Sequence, residues 1–359
     1  MSLCLCGEND LSEVIKQFSE QIRSAAADQK PLRIRGGGSK DFYGVRLDGE
    51  VLDTRACKGI VEYEPTELVF TARAGTPLSE VEAALAEKGQ MLAFEPPHFG
   101  PDASFGGCIA SGLSGPRRVQ AGSVRDFVLG VRMLNAAAED LRFGGQVMKN
   151  VAGYDVSRLM TGSFGTLGLI LEISVKVLPR PELDHTLRLE IPEQEAIEQI
   201  NRWAGEPLPL SASCHVGGAL YLRLSGAAPA VNAARTRLGG DTVEDPQFWR
   251  SIREQTHAFF AGSDTLWRLS IRSTVGPLLL GPTLNEWHGG LRWIAAPLNP
   301  KKAHEIAQKA GGYATLFRSK DNSAGIQQLE PGVLALNRKV KQALDPNGIF
   351  GPGRIHTEF

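Results

Sequence analysis

The sequence predicts an α+β protein of two domains, and three observations predict it. A short alternating run, Leu32-Arg33-Ile34-Arg35, reads as a strand and passes straight into Gly36-Gly37-Gly38. A second glycine-rich turn, Gly162-Ser163-Phe164-Gly165-Thr166-Leu167-Gly168, leads into the clearest strand in the chain. There Leu171, Ile173, Val175 and Val177 alternate with Glu172, Ser174 and Lys176, as in a half-buried strand. After Pro179-Arg180-Pro181 the pattern changes to strand, helix, strand, strand, helix between Leu183 and Gly239, the opening of a β-α-β-β-α-β unit. The 359 residues fit two domains. The expected division is residues 1–181, a smaller α+β (ferredoxin-like) domain at 182–330, and a C-terminal helix and tail at 331–359.

Composition narrows the function classes. Apolar residues make up 42% and charged residues 22%, a globular balance. A net charge of −1 gives nucleic acid no electrostatic footprint. No window has the length of apolar residues that spans a bilayer, and the N-terminus lacks a secretory pattern. The expectation is a cytoplasmic protein that meets a membrane only through partners. Cys4, Cys6, Cys57, Cys108 and Cys214 are scattered, with no Cys-x-x-Cys, which fits a reducing compartment and no iron–sulfur cluster on this chain. The seven histidines show no metal-ligand spacing, so no metal is expected.

Taken in order, Asn9 to Gln29 reads as an amphipathic helix with Leu11, Val14, Ile15, Phe18 and Ile22 on one stripe and Asp10 with Glu13 as a capping box. The triple glycine after the first strand has no Cβ in the way, so its backbone can approach an anion closely. It fits neither Gly-x-x-x-x-Gly-Lys-Ser/Thr nor Gly-x-Gly-x-x-Gly, and alone it is compatible with an ordinary turn. Val45 to Ala56 is expected to be a strand pair turned at Asp48-Gly49. Gly59 to Ala74 holds two apolar runs split by Pro65. A helix is expected from Thr76, with Pro77 at its first position, to Gly89.

From Ala103 to Gly115 small residues dominate, which suits a short helix or loops pressed against a large flat ligand. Phe127 to Ala137 and Leu141 to Phe143 read as a hairpin, and a short helix ends at Met160. Beyond Gly239, Trp249 to Phe260 reads as a helix, Leu266 to Ile271 and Leu291 to Ala295 as strands, and Lys301 to Lys309 and Val333 to Leu344 as helices.

These motifs, in this order, resemble the flavoprotein family that includes vanillyl-alcohol oxidase and the FAD-linked D-2-hydroxyacid dehydrogenases. The carriers are Arg-Gly-Gly-Gly at 35–38, Gly-Gly-Cys-Ile-Ala-Ser-Gly at 106–112, Gly-Ser-Phe-Gly-Thr-Leu-Gly at 162–168, and Leu-Asp-Pro-Asn-Gly-Ile-Phe at 344–350. Pro-Pro-His-Phe-Gly at 96–100, Ser-Gly-Pro-Arg-Arg at 114–118, Gly-Ser-Val-Arg-Asp at 122–126 and Met-Lys-Asn-Val-Ala-Gly-Tyr-Asp at 148–155 resemble the FAD-binding subunits of glycolate oxidases, a branch of that family. The resemblance implies a PCMH-type FAD-binding domain followed by a cap. It also implies work beside a D-type flavoprotein subunit and an F-type iron–sulfur subunit.

The resemblance also implies a site. The diphosphate falls on the backbone of Arg35, Gly36, Gly37, Gly38 and Ser39, with Lys40 beside it. Pro97, Gly100, Ala103 and Ser104 lead into Gly106, Gly107, Ala110, Ser111 and Gly112 on the flavin side. Gly165, Thr166, Gly168 and Ile170 take the adenine and ribose side. Gly122 and Asp126 complete the set, with Arg118 and Lys149 as anion partners. Covalent attachment in this family uses a histidine where this chain has Ser39, so FAD is expected to be non-covalent. The segment that holds metal and substrate carboxylate in the catalytic dehydrogenases has no counterpart here, and the tail carries Gly351 where relatives usually have Asn.

Oxidation of a 2-hydroxy acid needs a base at the hydroxyl and a cation at the carboxylate. His215, Arg268, Arg272, His288 and Arg292 are the second-domain candidates, although an arginine on an open strand face is ordinarily just solvated. No catalytic residue is assigned. The alternatives are a self-sufficient FAD-dependent hydroxyacid or alcohol oxidase, and a non-catalytic subunit whose flavin fold is empty.

Overall fold

The computed structural model describes residues 8–44, 48–145, 155–261, 263–319 and 329–356. Helix α1 (Glu8–Asp28) buries Phe18 and Ile22 of the expected stripe, and Ala25 after them. It begins at Glu8, so Asp10 lies inside the helix and not at its cap. Strand β1 (Leu32–Arg35) pairs in parallel with β2 (Glu50–Asp53), Leu32 opposite Glu50 and Arg35 opposite Asp53. This corrects the expected hairpin within 45–56. The partner of β2 is β1, and residues 45–47 lie outside the described residues.

Strands β3 (Ile60–Glu64) and β4 (Val69–Arg73) form a hairpin, and α2 (Leu78–Glu87) follows. Pro77 is the N-cap of α2, one position earlier than expected. Helix α3 (Phe105–Ser111) comes from the small-residue run. The hairpin β5 (Val128–Leu134) and β6 (Asp140–Gly144) and the long strand β7 (Leu169–Lys176) complete an antiparallel sheet of order β3-β4-β7-β5-β6. Strand β7 contributes to two cores at once. Ile170, Ile173 and Val175 join Phe70, Leu85, Phe105 and Ile109, while Leu169 and Leu171 join Ile22, Leu32, Leu52 and Phe350.

The second unit is one sheet made of two like halves. Strand β8 (Leu183–Glu190), helix α4 (Glu193–Trp203), strands β9 (Leu210–Val216) and β10 (Ala219–Gly226), helix α5 (Ala228–Leu238) and strand β11 (Asp241–Thr242) give the order β11-β8-β10-β9. Strands β12 (Leu266–Ser270), β13 (Thr283–Glu286) and β14 (Leu291–Ile294), helix α6 (Pro300–Lys309) and strand β15 (Tyr313–Arg318) repeat that order from the other edge. The halves meet where β9 pairs antiparallel with β13, Cys214 opposite Glu286. In the second half, chain without a helix fills the place of α4. The duplication goes beyond the single β-α-β-β-α-β opening read from the sequence.

The expected helix from Trp249 to Phe260 is broken. It runs from Phe248 to Arg253, Gln255 takes φ +55°, and a 3-10 turn covers Ala258–Phe260. Helix α7 (Pro331–Leu344) returns the chain to the first unit.

Candidate functional site

Three stretches of small residues and the returning tail converge on one cleft. It encloses about 930 Å³ of atom-free space, open solvent included. The loop after β1 supplies Arg35, Gly36, Gly37, Gly38, Ser39 and Lys40, and α3 with its cap supplies Ser104, Gly106, Gly107, Ala110 and Ser111. Gly165, Gly168 and Ile170 come from the turn and strand before the domain boundary.

Close approach explains the glycines. A Cβ on Gly37 would sit 1.4 Å from the Asp102 carbonyl oxygen, and one on Gly36 would sit 2.2 Å from Ser104 Oγ. The loop therefore lies against the segment that launches α3 with no room for a side chain. Ser104 caps α3 by accepting from Gly107 N at 3.2 Å. The second turn is tied to the same helix, since Phe164 N donates to Ala110 O at 2.9 Å and Gly162 N to Ile109 O at 3.1 Å.

The tail forms the last wall. Gly351 N donates to Leu32 O and Leu32 N to Ile349 O, so the tail runs parallel to β1. Lys341 holds it there. Its ammonium donates to Asp345 Oδ2 (2.7 Å), Phe350 O (2.7 Å) and Thr166 O (2.8 Å). Gly351 and Arg354 then line the cleft. Arg33, Arg35, Lys40 and Arg354 are its cations and Asp41 and Asp48 its acids, and Asp41 pairs with Arg35 at 2.8 Å. Burial lowers the Arg354 guanidinium to about 10, which leaves it protonated at neutral pH. A lining of backbone N–H groups, small side chains and excess cationic charge suits a long ligand carrying phosphates.

Eight of the expected site residues lie off the cleft lining. Pro97 lines the seam between the units. Gly100 faces open space, and Ala103 gives its carbonyl to Leu78 N. Gly112 is the left-handed C-cap of α3. Arg118 stacks 4.2 Å above the Trp287 ring, off the cleft lining. Gly122 precedes a one-turn helix whose capping box joins Ser123 to Asp126. Thr166 bonds Ser163 and receives Lys341. Lys149 lies outside the described residues. Reasoning from sequence missed Arg33, Ile34, Asp41, Asp48, Thr54, Ala74, Phe164 and Arg354 among the lining. Of these, Arg33, Ile34 and Asp41 had a signal in their nearness to the triple glycine.

Beside the cleft, the seam under the second sheet is filled with rings. Phe42 meets Phe99 (5.3 Å) and Phe317 (5.6 Å), and Phe317 meets Tyr43 (4.6 Å) and Trp293 (4.9 Å). Trp287 donates to Gly115 O at 3.0 Å. Glu286 lies among them, accepts from Trp293 Nε1 at 2.8 Å, and is pushed by burial up to about 7. Glu254 crosses the seam and accepts from the backbone of His98 and Phe99.

The second-domain candidates do not converge. His215 Nε2 lies 3.0 Å from Ile191 O, and Arg272 donates to Ala310 O. Arg268 stacks over Trp287 at 5.3 Å. His288 is buried, and burial lowers it to about 4. Arg292 corrects the expectation of a solvated strand arginine. It is 0% exposed, donates to Gly289 O and Val275 O, and pairs with Glu193 at 3.2 Å. Trp267 and Trp293 are core residues, as their strand positions imply.

Residues 13–144 match the family described as "FAD binding domain". The chain is 50% identical over 341 residues to "Glycolate oxidase subunit GlcE" of Escherichia coli (strain K12), covering 95% of this chain and 97% of that one. It is 34% identical over 173 residues to "Glycolate oxidase subunit GlcD" of Bacillus subtilis (strain 168), over 48% of this chain and 37% of that one. Among solved structures, p-cresol methylhydroxylase with substrate bound superposes with a TM-score of 0.69 at 16% identity, over 96% of this chain and 88% of that one. Alkyldihydroxyacetonephosphate synthase gives 0.63 at 15% identity, over 93% and 74%.

Proposed function

We infer the function from one premise: the chain belongs to the family of glycolate oxidase subunit GlcE, is an FAD-dependent oxidoreductase subunit, and has FAD as its cofactor. We propose that it binds FAD non-covalently in the glycine-lined cleft and serves a complex that oxidises glycolate to glyoxylate. Its partners in that complex are a D-type flavoprotein subunit and an F-type iron–sulfur subunit. In this reading, residues 1–181 form the FAD-binding domain, 182–330 the cap, and 331–359 the returning helix and tail.

The observation that carries the reading is the cleft itself. Its first glycine loop lies so close to the segment before α3 that a Cβ on Gly37 would sit 1.4 Å from the Asp102 carbonyl oxygen, and cations exceed acids around the cleft. Gly36 to Ser39 present backbone to the diphosphate, and the tail held by Lys341 closes over the dinucleotide. Bound FAD supplies a hydride acceptor for the α-carbon of a 2-hydroxy acid. This chain's part is to orient the cofactor and exclude water from it. The ring-filled seam supports a division of labour in which the partner flavoprotein holds the substrate, because Phe42, Phe99, Trp293 and Phe317 occupy the space under the cap sheet.

The test is an absorbance spectrum of the purified chain, followed by anaerobic glycolate. The expected result is bound oxidised flavin that bleaches only after the partner subunits are added. Bleaching by glycolate without partners would assign turnover to this chain. A colourless chain that takes up no FAD on reconstitution overturns the cofactor site.

A further inference from the structure

Among the described residues two lysines are buried, Lys40 and Lys341, and they are treated differently. Lys341 is 6% exposed and its ammonium has three acceptors within 2.8 Å, one of them a carboxylate. That is how a folded chain accommodates a buried cation without help. Lys40 is 9% exposed and lines the cleft. Among the described residues its Nζ donates only to Ser39 Oγ and His98 O, both at 3.3 Å, and it lies 5.7 Å from the Phe99 ring centroid. Among the described residues, no carboxylate is paired with it. The acid nearest in effect, Glu254, is occupied by the N–H groups of His98 and Phe99 and by Arg253. The neighbouring cleft cation Arg35, by contrast, has Asp41.

A buried ammonium with two long, neutral acceptors is costly, and a ligand with negative charge removes that cost. We propose that Lys40 is the counter-cation for negative charge carried by the bound dinucleotide, on its diphosphate or on the reduced ring. The proposal rests on the assignment of the cleft to FAD. It gives Lys40 a role opposite in sign to that of Lys341. Lys40 destabilises the empty chain and stabilises the loaded one, whereas Lys341 stabilises both.

Full-length wild type, Lys40→Met and Lys40→Arg are compared, with Lys40→Gln as a second neutral variant should the Met variant be insoluble. Melting temperature is read with and without FAD, dissociation constants are read for FAD, ADP and riboflavin, and the flavin midpoint potential is measured. The expected result is an apo Lys40→Met that melts no lower than wild-type apo, a smaller FAD-induced rise in melting temperature where the diphosphate is the source, and recovery in Lys40→Arg. If the diphosphate is the source, FAD and ADP bind about ten- to a hundredfold more weakly and riboflavin is unchanged. If the reduced ring is the source, oxidised FAD binds as before and the midpoint potential falls. The proposal is overturned if FAD affinity and potential both match wild type, or if the apo variant loses as much stability as the loaded one. A wild-type chain that takes up no FAD overturns the cleft assignment and this proposal together. One that takes up FAD while the variants equal it overturns this proposal alone.

Discussion

The cleft and the seam flank the same segment, residues 96–115, and are made of opposite materials. On the cleft side the neighbours are Gly36, Gly37, Gly106, Gly107 and Ala110. On the seam side they are Phe42, Trp287, Trp293 and Phe317. Small residues leave room and expose backbone, whereas rings fill room and lock two units together. The contrast teaches that this fold keeps the glycine-lined cleft open while packing the space under its second sheet.

The largest expected effect breaks the cleft. Gly37→Val places a side chain within the Asp102 carbonyl, so the loop must leave α3. The variant is expected to purify without flavin and to take up none, read as loss of the flavin absorbance. Retained yellow colour would show that the loop is not the diphosphate wall. Breaking the seam comes next. Phe317→Ala removes a ring that is 1% exposed, and is expected to cost about 3–5 kcal/mol in urea unfolding. If the variant also gains glycolate bleaching without partners, the seam is what denies substrate a place.

Lys341→Met is expected to cost on the order of 3–5 kcal/mol, because Asp345 (1% exposed) is left without its cation. Here the cleft loses its tail wall, so FAD affinity falls in parallel with stability. Equal FAD affinity in a destabilised variant would separate the tail from the site.

The smallest effect sharpens the contrast through pH. Glu286 titrates at about 7 when folded against an ordinary 4.5, raised first by burial. The folded chain therefore holds a proton that the unfolded chain has released between those values. Stability falls as pH rises through that window, by up to about 3 kcal/mol. His288, lowered to about 4 by burial, acts in the opposite direction between 4 and 6.5. The difference between wild type and Glu286→Gln isolates the carboxyl. The variant is expected to gain stability over wild type as pH rises from 5 to about 8, and a constant difference would rule out a protonated Glu286.

Much of the first unit was legible because its signals are local. The strand before the triple glycine, the small-residue run at 103–115 and the alternation on β7 each sit within a dozen residues. What was missed depends on distant partners. Arg292 reads as a solvated strand residue until Glu193, from another helix, is placed beside it. Arg354 lies 314 positions from the Lys40 carbonyl it bonds. In the second half of the larger sheet β12, β14 and α6 were legible, but the repeat was hidden because β13 has only four residues and no helix precedes it. Tyr313 to Phe317, after Gly311-Gly312, did carry an aromatic strand signal.

The wall supplied by Gly351 and Arg354 sets a timetable for synthesis. A ribosome adding about 5–20 residues per second needs roughly 15–60 s to travel from Lys40 to Arg354. Throughout that interval the first glycine loop is made, and from Gly168 onward the second, but the cleft lacks a side. On the proposed assignment of FAD to the cleft, cofactor capture is a late event, after the second sheet has emerged, and a nascent chain stalled before the tail has that cleft open to solvent.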